Sequence, residues 1–136
     1  MHYKTHLIGG LVASASYFYV APAMPSPLQS VYLLSGALLG ALLPDIDHPK
    51  SYLGRRIPIL PTLLYQSVGH RSLTHSLLFT AIVGGGITLF LNTHFGIGLS
   101  LGILSHIFLD LLTPQGVSYL YPFKKRRIKL YGKRRK

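Results

Sequence analysis

Residues 42–49 read Leu-Leu-Pro-Asp-Ile-Asp-His-Pro, and this stretch holds two of the three acidic residues in a chain of 136 residues. The third acidic residue, Asp110, follows His106 by four positions. Ordinary soluble domains carry many more charges, at roughly a quarter of all residues. Three acidic residues that each lie near a histidine therefore indicate a chemical role rather than a contribution to solubility.

The composition of the chain is typical of a membrane protein. Apolar residues account for 49% of the sequence and charged residues for only 12%, and the mean hydropathy is +0.37. The length allows one compact domain. The chain has no cysteine, which excludes disulfides and thiolate metal sites.

Two long stretches, residues 5–44 and 72–109, contain no Asp, Glu, Lys or Arg. A helix that crosses a bilayer needs about 20 apolar residues, so each stretch has room for two such helices and a turn. Prolines between residues 22 and 27 stop the first helix of the first stretch, since proline removes a backbone donor. The sequence thus predicts an all-α, polytopic membrane protein built from two helical hairpins. Its four transmembrane helices are expected near residues 5–22, 28–44, 73–92 and 96–113.

The segments outside these helices also have distinct character. The long loop between the hairpins, residues 45–71, contains the apolar stretch Ile57–Tyr65, which predicts a segment lying in the membrane interface. Glycines 84–86 each lower helix propensity by roughly 1 kcal/mol and predict a bend in the third helix. We divide the chain into a membrane-embedded domain, residues 1–123, and a polybasic cytoplasmic tail, residues 124–136.

The charges predict the orientation of the two hairpins. If the termini share one side of the membrane, all 14 Lys and Arg residues fall on that side, which the positive-inside rule makes cytoplasmic. The expectation is a multi-pass protein of the cell membrane with both termini in the cytoplasm. The same topology gathers every Asp, and every His except His94, near one end of the bundle. A cleaved signal peptide over residues 7–23 is the alternative, but it would export the basic tail.

The gathered polar residues are candidates for metal ligands. His106 and Asp110 are four residues apart and therefore share one face of a helix. The candidate ligands are His6, Asp45, Asp47, His75, His106 and Asp110. Their mixture of imidazole and carboxylate favours zinc or manganese over magnesium, with one or two ions. The structural alternative is a buried network of His–Asp hydrogen bonds that holds the helices together.

Four motifs together resemble the YdjM-type family of small inner-membrane proteins, which is described as LexA-regulated, membrane-bound, metal-dependent hydrolases. The motifs are His6, Leu43-Pro-Asp-Ile-Asp-His-Pro49, His70-Arg-Ser-Leu-Thr-His-Ser76 and Ser105-His-Ile-Phe-Leu-Asp-Leu-Leu-Thr-Pro-Gln-Gly116. The similarity covers roughly residues 2–123 and implies metal-dependent hydrolysis at a membrane. The polar positions that it carries over are Asp45, Asp47, His48, His70, His75, His106 and Asp110.

A bound metal would lower the pKa of a coordinated water towards neutrality, which predicts a metal-dependent hydrolase. The candidate catalytic residues are Asp47, His48 and His70, with either histidine able to protonate a leaving group. The candidate substrate-binding residues are Arg55, Arg56 and Arg71, because guanidinium groups bind phosphate well. A site at the membrane surface favours an amphiphilic substrate, such as a phospholipid or an isoprenoid phosphate.

Two other functions compete with this hypothesis. One is a metal-independent lipid phosphatase that forms a phosphohistidine, since residues 50–58, 67–70 and 106–110 loosely match the motifs of that class. It leaves Asp45 and Asp47 without a role. The other is a metal or proton carrier that is not an enzyme, for which four short helices would need a homo-oligomer. For the tail, anionic lipid is a more direct partner than nucleic acid.

Overall fold

The computed structural model describes residues 2–57, 59–68 and 71–130, without the side chains of Leu60 and Val68. A 3-10 turn, Leu43–Asp47, follows the second helix, and a π-helical segment, Thr80–Gly84, joins the fourth helix to the fifth. The α-helices are α1 (Tyr3–Val20), α2 (Pro27–Leu42), α3 (Ile59–Val68), α4 (Leu77–Phe79), α5 (Gly85–Phe90) and α6 (Thr93–Leu111). Within the described ranges the only β pairing is one isolated bridge, so the all-α prediction is confirmed.

The start and end of α2 follow directly from the sequence. Ser26 accepts a hydrogen bond from the backbone N–H of Gln29, and the Gln29 side chain accepts one from Ser26 in return. Pro27 occupies the first helical position, where its missing N–H costs nothing. At the other end Pro44 interrupts the α-helical ladder, and the chain tightens into the 3-10 turn that carries Asp45.

The third predicted helix begins later than expected. Residues 71–76 form turns, and α4 begins at Leu77 with Ser76 as its cap. The Leu77 N–H bonds the carbonyl of Tyr119, so a tertiary contact sets this boundary. The π segment ends at Gly84, the first of the three glycines, and the bend predicted at residues 84–86 stays a prediction.

Among the described elements, the most extensive contact is between α2 and α6, and α1 packs against both. Glycine makes the approach of α2 and α6 possible. A Cβ at Gly36 or Gly40 would collide with a carbonyl of α6, and a Cβ at Gly98 or Gly102 would collide with a carbonyl of α2. Small residues at helix contacts are the packing device of membrane helices. This contact brings the carboxyl-terminal ends of α2 and α6 into register around the polar residues.

The prediction of four membrane spans needs a correction. In the described part of the chain, two helices are long and apolar enough to cross a bilayer, Pro27–Asp47 and Thr93–Leu111. The stretch Leu77–Phe90 is shorter, because turns occupy residues 71–76. Helix α1 has 18 residues, but Lys4 lowers the hydropathy of its first turn. All these helices still expose large apolar side chains, as at Ile8, Val31, Ile82 and Phe108.

The loop and the tail both contain ordered structure. In the loop between the hairpins, α3 packs on the 3-10 turn and overlaps the interfacial segment that the sequence predicts.

After α6 the chain forms a second loop, in which Val117 pairs with Ile128. The tail predicted from residue 124 onwards therefore returns to the body of the protein as far as Leu130, and its last six residues lie outside the described part.

Candidate metal centre

Four side chains direct one ligand atom each towards a common point. Asp45 comes from the turn after α2, His75 from the turns before α4, and His106 and Asp110 from α6. Their ligand atoms all lie within 4.8 Å of one another. His75, His106 and Asp110 are fully buried, whereas the side chain of Asp45 is 25% exposed. Water can therefore reach the cluster from the side on which Asp45 lies.

The spacing of these atoms resembles the edges of a coordination polyhedron. Nε2 of His75 lies 3.7 Å from Oδ1 of Asp45 and 3.5 Å from Oδ2 of Asp110. Nε2 of His106 lies 3.6 Å and 3.8 Å from the same two oxygens. A tetrahedral zinc site with bonds of about 2.0–2.1 Å separates its ligand atoms by about 3.3–3.4 Å. Four of the six distances between the ligand atoms therefore exceed the tetrahedral value by a few tenths of an ångström, and all six are within 4.8 Å.

Two of these atoms lack a hydrogen-bond partner, although they are buried. Nε2 of His106 has none among the described residues, and Oδ2 of Asp110 has none there beyond its ion pair with the guanidinium of Arg71, at 3.2 Å. An unsatisfied buried polar group costs about 1–3 kcal/mol, and buried groups of this kind call for an explanation, such as an ion. A divalent cation bound by both atoms removes the penalty, so the donor set fits a metal.

The charges of the cluster also fit a metal. The carboxylates of Asp45, Asp47 and Asp110 contribute −3, and the guanidinium of Arg71 contributes +1, which leaves −2 if the imidazoles are neutral. An isolated buried charge is strongly unfavourable. One divalent cation balances the sum to zero, which supports one ion rather than two.

A second layer of contacts orients the two imidazoles. Nδ1–H of His106 donates a 2.6 Å hydrogen bond to the carbonyl of Ala41, which leaves Nε2 as the ligand atom. Thr74 donates its hydroxyl proton to Oδ2 of Asp47 at 2.6 Å, and its oxygen lies 3.1 Å from Nδ1 of His75. Outer partners of this kind fix the tautomer and the ring orientation of metal-binding histidines.

Asp47 and Arg71 stabilise the cluster from outside it. Asp47 is fully buried and accepts the backbone N–H of Arg71 at 3.1 Å. The guanidinium of Arg71 contacts Asp110 at 3.2 Å and donates to the hydroxyl of Thr113 at 3.1 Å. Arg71 has a φ of +65°, an uncommon conformation that costs of order 1–3 kcal/mol and often marks a functional segment. The chain therefore bends at Arg71 so that its backbone and its side chain both bond site carboxylates.

His6 lies against the cluster without being one of its four members. Its ring stacks on that of His106 at 3.7 Å between centroids, with 12° between the planes. Its Nε2 lies 3.7 Å from Oδ1 of Asp110, and neither ring nitrogen has a hydrogen-bond partner in the described structure. His6 is thus within reach of a cation held by Asp110.

The carboxylates change the proton affinity of His75. Burial by itself lowers the pKa of an imidazole, but the carboxylates of Asp110, Asp45 and Asp47 outweigh burial and raise the pKa of His75 to about 10. His75 is therefore protonated at neutral pH when no cation is present. A metal that binds Nε2 must displace this proton.

A sequence profile of the YdjM inner membrane protein family matches residues 1–135.

The chain belongs to the YdjM inner membrane protein family.

The relatives agree with this assignment. The chain is 42% identical over 103 residues to the inner membrane protein YdjM of Escherichia coli (strain K12) and, with the same values, to that of Shigella flexneri. These matches cover 70% of this chain and 52% of each relative, so the chain spans about half the length of these two proteins. It is 36% identical over 134 residues to the uncharacterized protein YvsG of Bacillus subtilis (strain 168), covering 96% of this chain and 79% of that protein. No solved structure matches it.

Family membership confirms the resemblance drawn from the four motifs. The match includes all four members of the cluster. In the structure of this YdjM-family chain, residues from three of the four motifs meet around one point. This convergence gives a geometric reason why motifs that are distant in sequence occur together.

The other predicted site residues are not members of the four-ligand cluster. His48 is half-buried and packs edge-on against Tyr65, with 6.1 Å between ring centroids. Arg55 and Arg56 are exposed, and the guanidinium of Arg56 lies over the ring of Tyr52 at 4.0 Å. No contact found among the described residues joins either arginine to the four ligands. His70 lies outside the described residues.

The sequence did not indicate the roles of Thr74 and Arg71 in this YdjM-family site. Thr74 directly precedes the candidate ligand His75. In the structure its hydroxyl donates to Asp47 and lies beside Nδ1 of the His75 imidazole. Arg71 was expected to bind substrate, whereas the structure buries its guanidinium against Asp110 and Thr113. The scarcity of acidic residues could have indicated the role of Arg71. A buried arginine needs a carboxylate partner, and the chain has only three acidic residues.

Proposed function

We propose that this protein is a membrane-bound, metal-dependent hydrolase that acts at the cytoplasmic membrane face on a phosphate-containing amphiphile. The observation that carries the proposal is the set of four ligand atoms within 4.8 Å of one another, four of whose separations are 3.5–3.8 Å. Once His75 has lost its proton, these groups together with Asp47 and Arg71 have a net charge of −2. Zinc and manganese suit a set of two imidazoles and two carboxylates. A divalent cation in this position supplies Lewis acidity and a water whose pKa is lowered towards neutrality.

The residues around the ligands have distinct roles in this proposal. Asp45 is the accessible edge of the cluster, so substrate approaches from its side. Arg71 holds Asp110 in place and balances its charge, and Asp47 and Thr74 orient His75. His48, on the loop after the 3-10 turn, is the candidate proton donor nearest in sequence to that accessible edge, and His70 is the other candidate.

An apolar groove supports an amphiphilic substrate. It lies between α1 and α6, has a volume of about 540 Å³ and is lined almost entirely by apolar groups, among them Ile8, Val12, Leu104 and Phe108. These two helices also carry His6, His106 and Asp110. We propose that the groove holds the hydrocarbon chain while the phosphate lies near the cluster, with the exposed Arg55 and Arg56 as additional anion contacts.

The orientation in the membrane remains part of the proposal. The distribution of Lys and Arg supports a multi-pass protein whose termini and metal centre face the cytoplasm. Accessibility of a single cysteine introduced at Tyr19, at the far end of α1, tests this point because the native chain has no cysteine. Labelling of intact cells at Tyr19→Cys by an impermeant reagent supports the orientation, and labelling only after lysis contradicts it.

Metal analysis of the purified protein tests the site. We expect about one zinc or manganese ion per chain, and its loss in His75→Ala and Asp110→Ala. His94→Ala is the matched control, because His94 lies about 24 Å from Asp110 along α6 at 1.5 Å per residue. Unchanged metal content in both site variants would refute the metal centre.

Phosphate release from phosphatidic acid and from an isoprenyl phosphate tests the activity. The expected result is release that a chelator abolishes and that zinc or manganese restores. Release that survives complete removal of metal would instead support the phosphohistidine mechanism.

A metal carrier is the second candidate, and the burial of three of the four ligands favours it. A site that transports a cation must enclose it, as His75, His106 and Asp110 do here. Uptake of zinc into proteoliposomes, with Asp45→Asn as the comparison, distinguishes a carrier from a hydrolase. Uptake that depends on Asp45, without any phosphate release, would replace the hydrolase proposal.

A further inference from the structure

The basic segment after α6 is held against the body of the protein. Val117 and Ile128 exchange two backbone hydrogen bonds of 3.0 Å and 2.9 Å, and the N–H of Leu130 bonds the carbonyl of Leu111 at 2.8 Å. Residues 117–130 therefore form a closed loop, which we call the basic loop. Its cations occupy defined positions relative to α6.

The tip of the basic loop is itself ordered by short-range hydrogen bonds. The N–H of Tyr121 bonds the carbonyl of Ser118 at 2.9 Å, and the N–H of Lys124 bonds that of Leu120 at 3.0 Å. The hydroxyl of Ser118 donates to the carbonyl of Lys125 at 3.1 Å. These bonds present residues 123–127 as one surface.

That surface combines an exposed aromatic ring with four cations. Phe123 is 82% exposed, and Lys124, Lys125, Arg126 and Arg127 are all exposed. The three acidic residues of the chain lie in or beside the metal centre. The basic loop therefore carries a concentrated positive charge with no acidic residue of its own.

The basic loop is also connected to the metal centre. The backbone N–H of Ser118 bonds the carbonyl of Arg71 at 3.2 Å, and the guanidinium of Arg71 contacts Asp110. Leu111, which bonds Leu130, directly follows Asp110. The loop thus lies at the same end of α6 as the cluster, at the end of a helix long enough to cross the membrane.

We propose that residues 123–127 are a docking surface for the headgroups of anionic phospholipids. Basic side chains beside a membrane helix are attracted to anionic lipid, and an aromatic ring among them inserts at the boundary between headgroups and acyl chains. Nucleic acid would also attract the cations. We favour lipid because the loop follows a membrane helix by only a few residues and Phe123 adds an apolar contact. Docking would hold the metal centre at the level of the headgroups.

A single tryptophan tests the proposal on the full-length protein, because the native chain has none. Phe123→Trp is reconstituted in nanodiscs of phosphatidylcholine alone and in nanodiscs that also contain phosphatidylglycerol. We expect its emission to shift to shorter wavelength, and brominated phosphatidylglycerol to quench it, only when the anionic lipid is present. The shift should be lost at about 1 M salt, where the Debye length falls to about 3 Å.

Two further proteins serve as controls. Tyr19→Trp places the probe at a residue that is 91% exposed, at the opposite end of α1 from Lys4, and its emission should be the same in both kinds of disc. Phe123→Trp combined with glutamine at positions 124–127 should lose the shift. No metal is required for this measurement, so it is independent of the proposed hydrolase activity.

Three results would overturn the proposal. One is identical emission of Phe123→Trp in neutral and anionic discs, and another is a shift that persists after the four cations are replaced. The third is a shift of equal size when duplex DNA or RNA is added to neutral discs, which would identify a nucleic-acid surface instead.

Discussion

The imidazole of His106 on α6 is hydrogen-bonded through Nδ1 to the carbonyl of Ala41 on α2, at 2.6 Å. This bond joins the two helices that share the most extensive contact among the described elements, and it leaves Nε2 directed at Asp45 and Asp110. One side chain thus contributes both to helix packing and to the metal centre.

The two contributions of His106 can be separated by substitution. In His106→Asn the amide nitrogen occupies a position near that of Nδ1 and can still donate to Ala41, but no ligand atom replaces Nε2. We expect this protein to fold and to lose its metal, whereas His106→Phe should lose both metal and stability. Metal content and thermal unfolding in detergent measure the two effects, and retention of metal by His106→Asn would contradict the assigned ligand.

Thr74 should tune metal affinity without being a ligand. Thr74→Val removes the hydroxyl that bonds Asp47 and lies beside His75, so the imidazole loses part of its orientation. Changes to such outer partners typically weaken metal binding by about 10–100-fold. Titration with zinc against a competing chelator measures the change. Thr88→Val is the control, because the Thr88 hydroxyl bonds the carbonyl of Gly84, one turn earlier, rather than a residue of the metal centre. Equal losses in both proteins would contradict the prediction.

Gly40 should tolerate no side chain. A Cβ at this position would collide with the carbonyl of Leu99, and overpacking of a tight contact typically costs about 1–3 kcal/mol. Gly85→Ala is the matched control, since a Cβ there meets nothing within 4 Å and alanine favours a helix by about 1 kcal/mol. Unfolding by denaturing detergent should therefore show that Gly40→Ala is less stable and that Gly85→Ala is equally or more stable than the native chain. Similar destabilisation by both changes would argue against the close packing of α2 and α6.

Arg71 should stabilise the metal-free protein more than the metal-bound protein. Arg71→Met leaves the buried carboxylate of Asp110 without its guanidinium, and breaking a buried ion pair costs about 3–5 kcal/mol. A cation would then compensate for the lost charge. We expect a large fall in the unfolding temperature of the chelated protein and a smaller fall when zinc is present. Arg55→Met, at an exposed position, should change neither value, and an equal fall in both states for Arg71→Met would contradict the charge balance.

Metal affinity should increase with pH. Because the pKa of His75 is raised to about 10, its proton competes with the metal throughout the neutral range. Lower pH favours the protonated, metal-free form, and the competition ends only as the pH rises through the pKa of about 10. Calorimetry in buffers of different ionisation enthalpy should detect about one proton released per zinc ion at pH 7. Binding without proton release would show that His75 is neutral before the metal arrives.

Much of this protein was determined by the sequence alone. Two uncharged stretches and the prolines between residues 22 and 27 predict apolar helices at nearly the positions where α1, α2 and α6 lie. The small number of acidic residues predicts that they share one location. Three carboxylates contribute little to the solubility of an apolar chain, so a chemical role at one site is the simpler explanation. These inferences depend on local propensity and on hydropathy, which are properties of short segments.

Only the tertiary structure decided which atoms meet and in what role. Asp45 and Asp47 are two residues apart and were indistinguishable in sequence, but the 3-10 turn directs Asp45 at the four-ligand cluster and Asp47 at the far side of His75. The start of α4, the bend at Arg71 and the burial of its guanidinium likewise depend on contacts with residues more than 20 positions away. Side-chain direction at such turns is set by long-range packing and hydrogen bonding, which no local pattern encodes.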